Sequence, residues 1–204
     1  MNVIERSGGF RSRRFVFQSL HMTDEVQAIA AAAGWKTTLN QPAAPSKGRP
    51  LLMKWEVFSG LTVLYTEKDA INTSFAMAAS SLGAAEVAGC VAVFAAHPQV
   101  TTFDELIGGC DAAAAPDSKG AALARSGLGA PIEADERFVE RLEAGAFADE
   151  AAIREGALWG MAYAEWPVFR RPLNRAARND PDEFLRKVAA SALGAFDRIG
   201  VARR

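Results

Sequence analysis

Side chains suited to bond-making chemistry are few in this chain and far apart. His21 and His97 are its two histidines, and Cys90 and Cys110 its two cysteines. Metal centres built from such residues need ligands at short, regular intervals. Neither histidine sits in such a ligand spacing, and the cysteines do not form a CxxC pair. No HExxH, GxSxG or GK[ST] motif occurs. A cysteine nucleophile needs a base within reach; His97 is the nearest candidate, but a histidine beside a helix end reads as a capping or solvated residue. The cysteines read as core residues. No catalytic residue, metal or cofactor is expected.

Charge is the stronger signal. Residues 133–164 hold three basic and eight acidic side chains, a net of −5, whereas residues 165–204 hold nine basic and five acidic, a net of +4. Arg171, Arg175 and Arg178 follow spacings of four and three, which puts them on one helical face, with Arg170 beside them and Trp166 just before. A guanidinium fork takes a carboxylate or a phosphate through paired N–H donors. Tryptophan and arginine are the types that dominate binding hot spots, so Trp166, Arg170, Arg171, Arg175 and Arg178 form the candidate binding set. Trp166 belongs to it on condition that it is exposed, since a ring of its size is ordinarily a core anchor. Two readings stand side by side. The face is either solvated and complementary to the acidic segment before it, or a contact surface for an acidic protein or for phosphates. The run Glu133 to Glu143, "EADERFVERLE", reads as the solvated side of an amphipathic helix.

The elements that must position these residues fall into two halves. Residues 14–20 read as a strand, followed by a helix capped by Thr23 and stopped at Gly34. Residues 38–50, rich in Pro, Ser and Gly, read as a loop. "LLMKWEVF" and "LTVLYTE" form a hairpin across Ser59-Gly60, a third strand follows, and a helix over 80–96 ends at His97-Pro98. Residues 1–98 therefore read β-α-β-β-β-α. Residues 99–204 read as helical hairpins, beginning with a capping box at Thr102 and Glu105. In the last hairpin Asp180 is the expected N-cap, with Pro181 first in the helix and Glu183 third. The expected fold class is α+β: a small antiparallel sheet with helices, then helical hairpins.

Sliding the last section back by about 31 residues lays Phe169 on Phe138, Leu173 on Leu142, Ala177 on Ala146 and Asp180 on Asp149. With one residue inserted, Leu185 falls on Ile153, Arg186 on Arg154, Ala189 on Ala157 and Leu193 on Met161. The stretch "DPDEFLRKVAASAL" from Asp180 resembles the second helix of a HEAT repeat, including its PBS-lyase-type variant, and the likeness spans roughly residues 134–199. Residues 101–130 are a candidate for a degenerate third hairpin. The resemblance implies that the Asp and Arg pairs tie neighbouring hairpins together. It also implies a non-enzymatic module that binds a protein partner, in its most specific form an inhibitor or immunity protein occluding a toxin or enzyme. The alternative it carries is a nucleic-acid-binding protein or DNA glycosylase gripping the duplex with Arg171, Arg175, Arg178 and Trp166. The formal net charge is −1, and no apolar run reaches the roughly 18 residues that span a bilayer. A cytoplasmic protein without membrane contact is expected.

Overall fold

Alternation of apolar residues builds the first half. In the computed structural model, which describes residues 2–6 and 8–202, the chain divides into two units, one up to Thr101 and one from Thr102 onward. The first contains strands β1 (Val3–Arg6), β2 (Gly9–Ser12), β3 (Phe15–Val16), β4 (Lys36–Gln41), β5 (Leu52–Phe58), β6 (Leu61–Lys68) and β7 (Thr73–Ser80). Helix α1 (Thr23–Ala32) follows β3, and α2 (Ala84–Ala95) follows β7. Among the described residues every strand pairing is antiparallel, in the order β1-β2-β7-β6-β5-β4, with β3 also on β7. Met53 and Trp55, Leu61, Val63 and Tyr65, and Ala76 and Ala78 alternate along three strands, so they share one sheet face. Val26 and Ala30 of α1 and Val87, Val91 and Phe94 of α2 close over that face, with Phe15 and Phe17 beneath. Each large side chain buried there contributes about 1.5–3 kcal/mol. The Ser59-Gly60 turn forms as expected, with Gly60 at φ 92°.

Three features of this unit differ from the sequence reading. The hairpin of β1 and β2 precedes the first expected strand. That strand is only two residues long: before it the pairing with β7 slips by one residue between Arg11↔Ala79 and Phe15↔Ala76, and after it Phe17 bridges Val100 instead. The Ser12 hydroxyl bridges the slip, accepting from the Ala78 N–H at 3.1 Å. Finally, residues 36–41 overlap the expected loop but form β4, paired with β5 alone. An edge strand has no second neighbour and needs no buried face, so "KTTLNQ" carries none of the usual apolar alternation.

The second unit holds six helices among its described residues: α3 (Phe103–Ala112), α4 (Pro116–Gly129), α5 (Glu136–Ala146), α6 (Ala151–Ala164), α7 (Arg170–Asn179) and α8 (Glu183–Arg198). They make three successive hairpins, α3–α4, α5–α6 and α7–α8. The second helices pack on one another, α4 on α6 and α6 on α8, while α3 touches α5 and α5 touches α7. The capping box opens α3: Thr102 Oγ1 accepts from the Glu105 N–H, and Glu105 Oε2 accepts from the Thr102 N–H at 2.7 Å. Contact between α4 and α6 is the most extensive of all and runs through glycines. A Cβ at Gly120 would overlap the Ala152 carbonyl, one at Gly127 the Gly160 backbone, and one at Gly156 the Gly120 backbone. The start of α8 corrects the sequence reading. Its N-cap is Asp182, which accepts from the Phe184 N–H at 2.8 Å, while Asp180 is buried before the helix begins.

Candidate functional site

Helix α7 is polar on one side and apolar on the other, and that division sorts the candidate residues. Pro172, Leu173 and Ala176 face inward and fix the helix against its neighbours. Arg171, Arg175 and Arg178 consequently face solvent, as their spacing predicts. Arg170 does not join them. Its guanidinium is buried, donating to the carbonyls of Val201 at 2.7 Å and Ala202 at 3.0 Å and pairing with Asp197 at 2.8 Å. It clamps the chain after α8.

Trp166 likewise leaves the binding set: it is buried, the position that a ring of its size ordinarily takes. Glu165 ends α6 in the left-handed conformation at φ 57°, and a short 3-10 turn, Pro167–Phe169, leads into α7. This folds the indole inward, stacked on Phe169 at 5.5 Å and edge-on to Phe138 at 6.2 Å. Its Nε1–H donates to the carbonyls of Pro131 and Ile132 at 3.2 and 3.1 Å. Both its apolar body and its polar tip are used inside the fold.

The three outward arginines lack carboxylate partners among the described residues. Five other basic side chains of the unit have them, Arg170 among them. Arg137 pairs with Asp104 and Asp135, Arg141 with Asp111, Arg154 with Asp180, and Lys187 with Glu183. The acidic segment of residues 133–155 therefore forms no ion pair with the α7 arginines among the described residues. Its aspartate Asp135 pairs locally, and its arginines Arg137 and Arg141 reach back to α3. These guanidinia hold the Asp111 and Asp135 carboxyls below the usual carboxylate range, in each case chiefly by hydrogen bonding.

Beside this face lies a cleft of about 310 Å³ between the α5–α6 and α7–α8 turns. On its floor Arg154 makes a paired contact with Asp180, Nε to Oδ2 at 3.0 Å and Nη2 to Oδ1 at 3.2 Å. Arg154 Nη1 also donates to the carbonyls of Ala148 and Asp149, six and five residues upstream. Arg186 Nη1 repeats the arrangement one hairpin later, on the carbonyls of Asp180 and Pro181. The Asp180 carboxylate accepts a further bond from the Asp182 N–H. This floor is internally neutral, so Arg175 supplies the positive charge of the lining. Its guanidinium carbon sits 4.2 Å over the ring centroid of Phe147, which remains 46% exposed. Asp149 and Asn179, both exposed, complete the polar lining.

A second polar cluster, in the sheet unit, escaped the sequence reading. Glu67 is buried and accepts from Thr23 Oγ1 at 2.9 Å and Tyr65 OH at 3.0 Å, and its Oε2 lies 3.2 Å from His21 Nδ1. Tyr65 OH also accepts from the Met22 N–H at 2.9 Å. Thr23 is thus not the cap of α1: Met22 holds that position, and β6 pins the helix start through Tyr65 and Glu67. Burial is the main cause raising the Tyr65 phenol above its ordinary value. The 46-residue separation of His21 and Glu67 left no local motif to find.

His97 behaves as a turn residue, accepting the Gln99 N–H at Nδ1. Burial pushes the Cys90 thiol up to about 11 and raises that of Cys110, so both are neutral thiols near pH 7. No group of three or more metal-ligating side chains occurs among the described residues, and no helix there is long and apolar enough to cross a membrane. No protein-family model matches the chain, and neither a curated protein nor a solved structure matches it.

Proposed function

We propose that the helical hairpins act as a non-enzymatic protein-binding module whose contact face is Arg171, Arg175 and Arg178 on α7. One observation carries this reading: three exposed guanidinia share one helical face without carboxylate partners among the described residues, whereas Arg137, Arg141, Arg154, Arg170 and Lys187 of the same unit have them. Unpaired forks keep their donors available, and a carboxylate-bearing partner would supply the missing acceptors. The three-hairpin arrangement and the HEAT-like spacing of Asp and Arg agree with a scaffold that binds through its surface. The free thiols of Cys90 and Cys110 suit a reducing compartment such as the cytoplasm.

An acidic protein fits this face better than nucleic acid. Arg171 to Arg178 spans about 10 Å at 1.5 Å per residue. Asp149 and Glu150 on one turn and Asp182 and Glu183 on the other carry the opposite charge, so a long phosphate track would meet repulsion beyond α7. Burial of Trp166 removes the aromatic from the duplex-gripping set. The test is a partner isolated by crosslinking to the full chain, with affinity then measured for the wild type and for the triple variant Arg171→Glu, Arg175→Glu, Arg178→Glu. Loss of binding with an unchanged fold is expected, since solvated surface changes are usually within about 0.5 kcal/mol each. Undiminished binding by the triple variant would sink the assignment. Tight duplex binding that falls steeply between about 50 and 200 mM salt would replace it with the nucleic-acid reading.

A further inference from the structure

We infer that the cleft between the α5–α6 and α7–α8 turns seats one carboxylate side chain of an acidic helix in the partner, with Arg175 as its receptor; this rests on the protein-binding reading above. The cation–π contact with Phe147 holds the Arg175 guanidinium in place without using its N–H donors. Those donors have no carboxylate partner among the described residues. The floor does not compete for the ligand, because Arg154 and Asp180 satisfy each other and Arg154 also takes the turn carbonyls. The half-exposed Phe147 ring gives the methylene stem of a Glu an apolar wall. A volume of about 310 Å³ accommodates such a side chain.

Asp149 fixes the count. It lines the same cleft, is exposed, and forms no ion pair with Arg175. One carboxylate can be drawn in by Arg175, but a second would meet Asp149. The partner's remaining acids must therefore lie on either side, over Arg171 and Arg178, which stand about 6 and 4.5 Å away along the axis of α7. Acids at positions i, i+3 and i+7 of an antiparallel partner helix reproduce those separations.

The test uses the full chain and a labelled synthetic helical peptide with Glu at i, i+3 and i+7 on an Ala/Gln background. A control peptide carries Gln in place of each Glu, and binding is followed by fluorescence anisotropy at low salt. The wild type is expected to bind the Glu peptide and not the Gln peptide. Arg175→Gln is expected to weaken binding about tenfold or more, the scale of a lost charged hydrogen bond. Asp149→Asn is expected to tighten it several-fold by removing the repulsion. Both side chains are exposed, and circular dichroism of each variant checks that the fold is intact.

Failure of the wild type to bind the Glu peptide overturns the inference, as does weaker binding by Asp149→Asn, which would mean that the cleft takes a cation. A duplex oligonucleotide that displaces the peptide through Arg175 also overturns it. If the triple arginine variant loses the peptide while Arg175→Gln and Asp149→Asn leave affinity unchanged, the cleft assignment falls and the surface assignment stands. If the triple variant binds as well as the wild type, both fall.

Discussion

At the scale of single residues, the two aspartates of "NDPDEF" divide their work in a way their neighbours do not announce. Either could cap α8, and Asp180 followed by Pro181 has the better local pattern. Asp182 takes the cap because the buried guanidinium of Arg154, on α6, claims Asp180. Two substitutions separate the roles. Asp180→Ala strands a buried charge and should cost about 3–5 kcal/mol. Asp182→Ala loses a cap and should cost about 1 kcal/mol. Urea titrations of both variants check the ranking, and the reverse order would restore Asp180 as the cap. The correspondence of Arg154 with Arg186 was legible in the sequence, and both clamp the carbonyls five and six residues upstream. For Trp166 the size of the ring favoured the core, and what the sequence did not show was the left-handed Glu165 that turns the chain there.

At the scale of elements, glycine in a helix has two opposite meanings, and the sequence does not distinguish them. Gly108 in α3 is exposed, and a Cβ there meets nothing within 4 Å. Gly156 in α6 lies against the backbone of Gly120 in α4. Gly108→Ala should therefore stabilise the chain by about 0.5–1 kcal/mol through reduced unfolded-state freedom. Gly156→Ala must force α4 and α6 apart and should lose about 1–3 kcal/mol or more. Equal signs for the two in guanidinium unfolding would refute the close crossing. A second element-scale prediction concerns α3 and α5. Arg141 and Arg137 depress the carboxyls of Asp111 and Asp135, so these pairs add stability above the unfolded carboxyl value of about 3.9. That stability is lost as pH falls through the lower folded values. Asp111→Asn should make the dependence of melting temperature on pH shallower below about pH 4, and added salt should do the same because the pairs are exposed. Amphipathic helices and inner strands were readable because each buries a periodic face. The strand β4 was not, since its only structural duty is to pair with β5.

At the scale of the whole molecule, the chain holds two units with separate means of support. The sheet unit buries one contiguous apolar cluster under α1 and α2. The helical unit fills its interior with Phe138, Leu142, Met161, Trp166, Phe169, Leu173 and Phe196 and adds the Arg154–Asp180 and Arg170–Asp197 ties. A length of about 100 residues is enough for an independent domain. The segment from Thr102 to the end of the chain, expressed alone, should therefore give a helical circular dichroism spectrum and unfold in one cooperative step. The unfolding enthalpy should be about 70 kcal/mol near 60 °C, at roughly 0.7 kcal/mol per residue. If the arginine face works as proposed, the fragment should also bind the Glu peptide as tightly as the full chain, because the lining residues of the cleft all lie within it. Calorimetry and anisotropy on one preparation check both. A broad, non-cooperative transition would show that the hairpins require the sheet unit to fold. A cooperative fragment with no affinity for the peptide, set beside a full chain that binds, would move the contact surface away from α7.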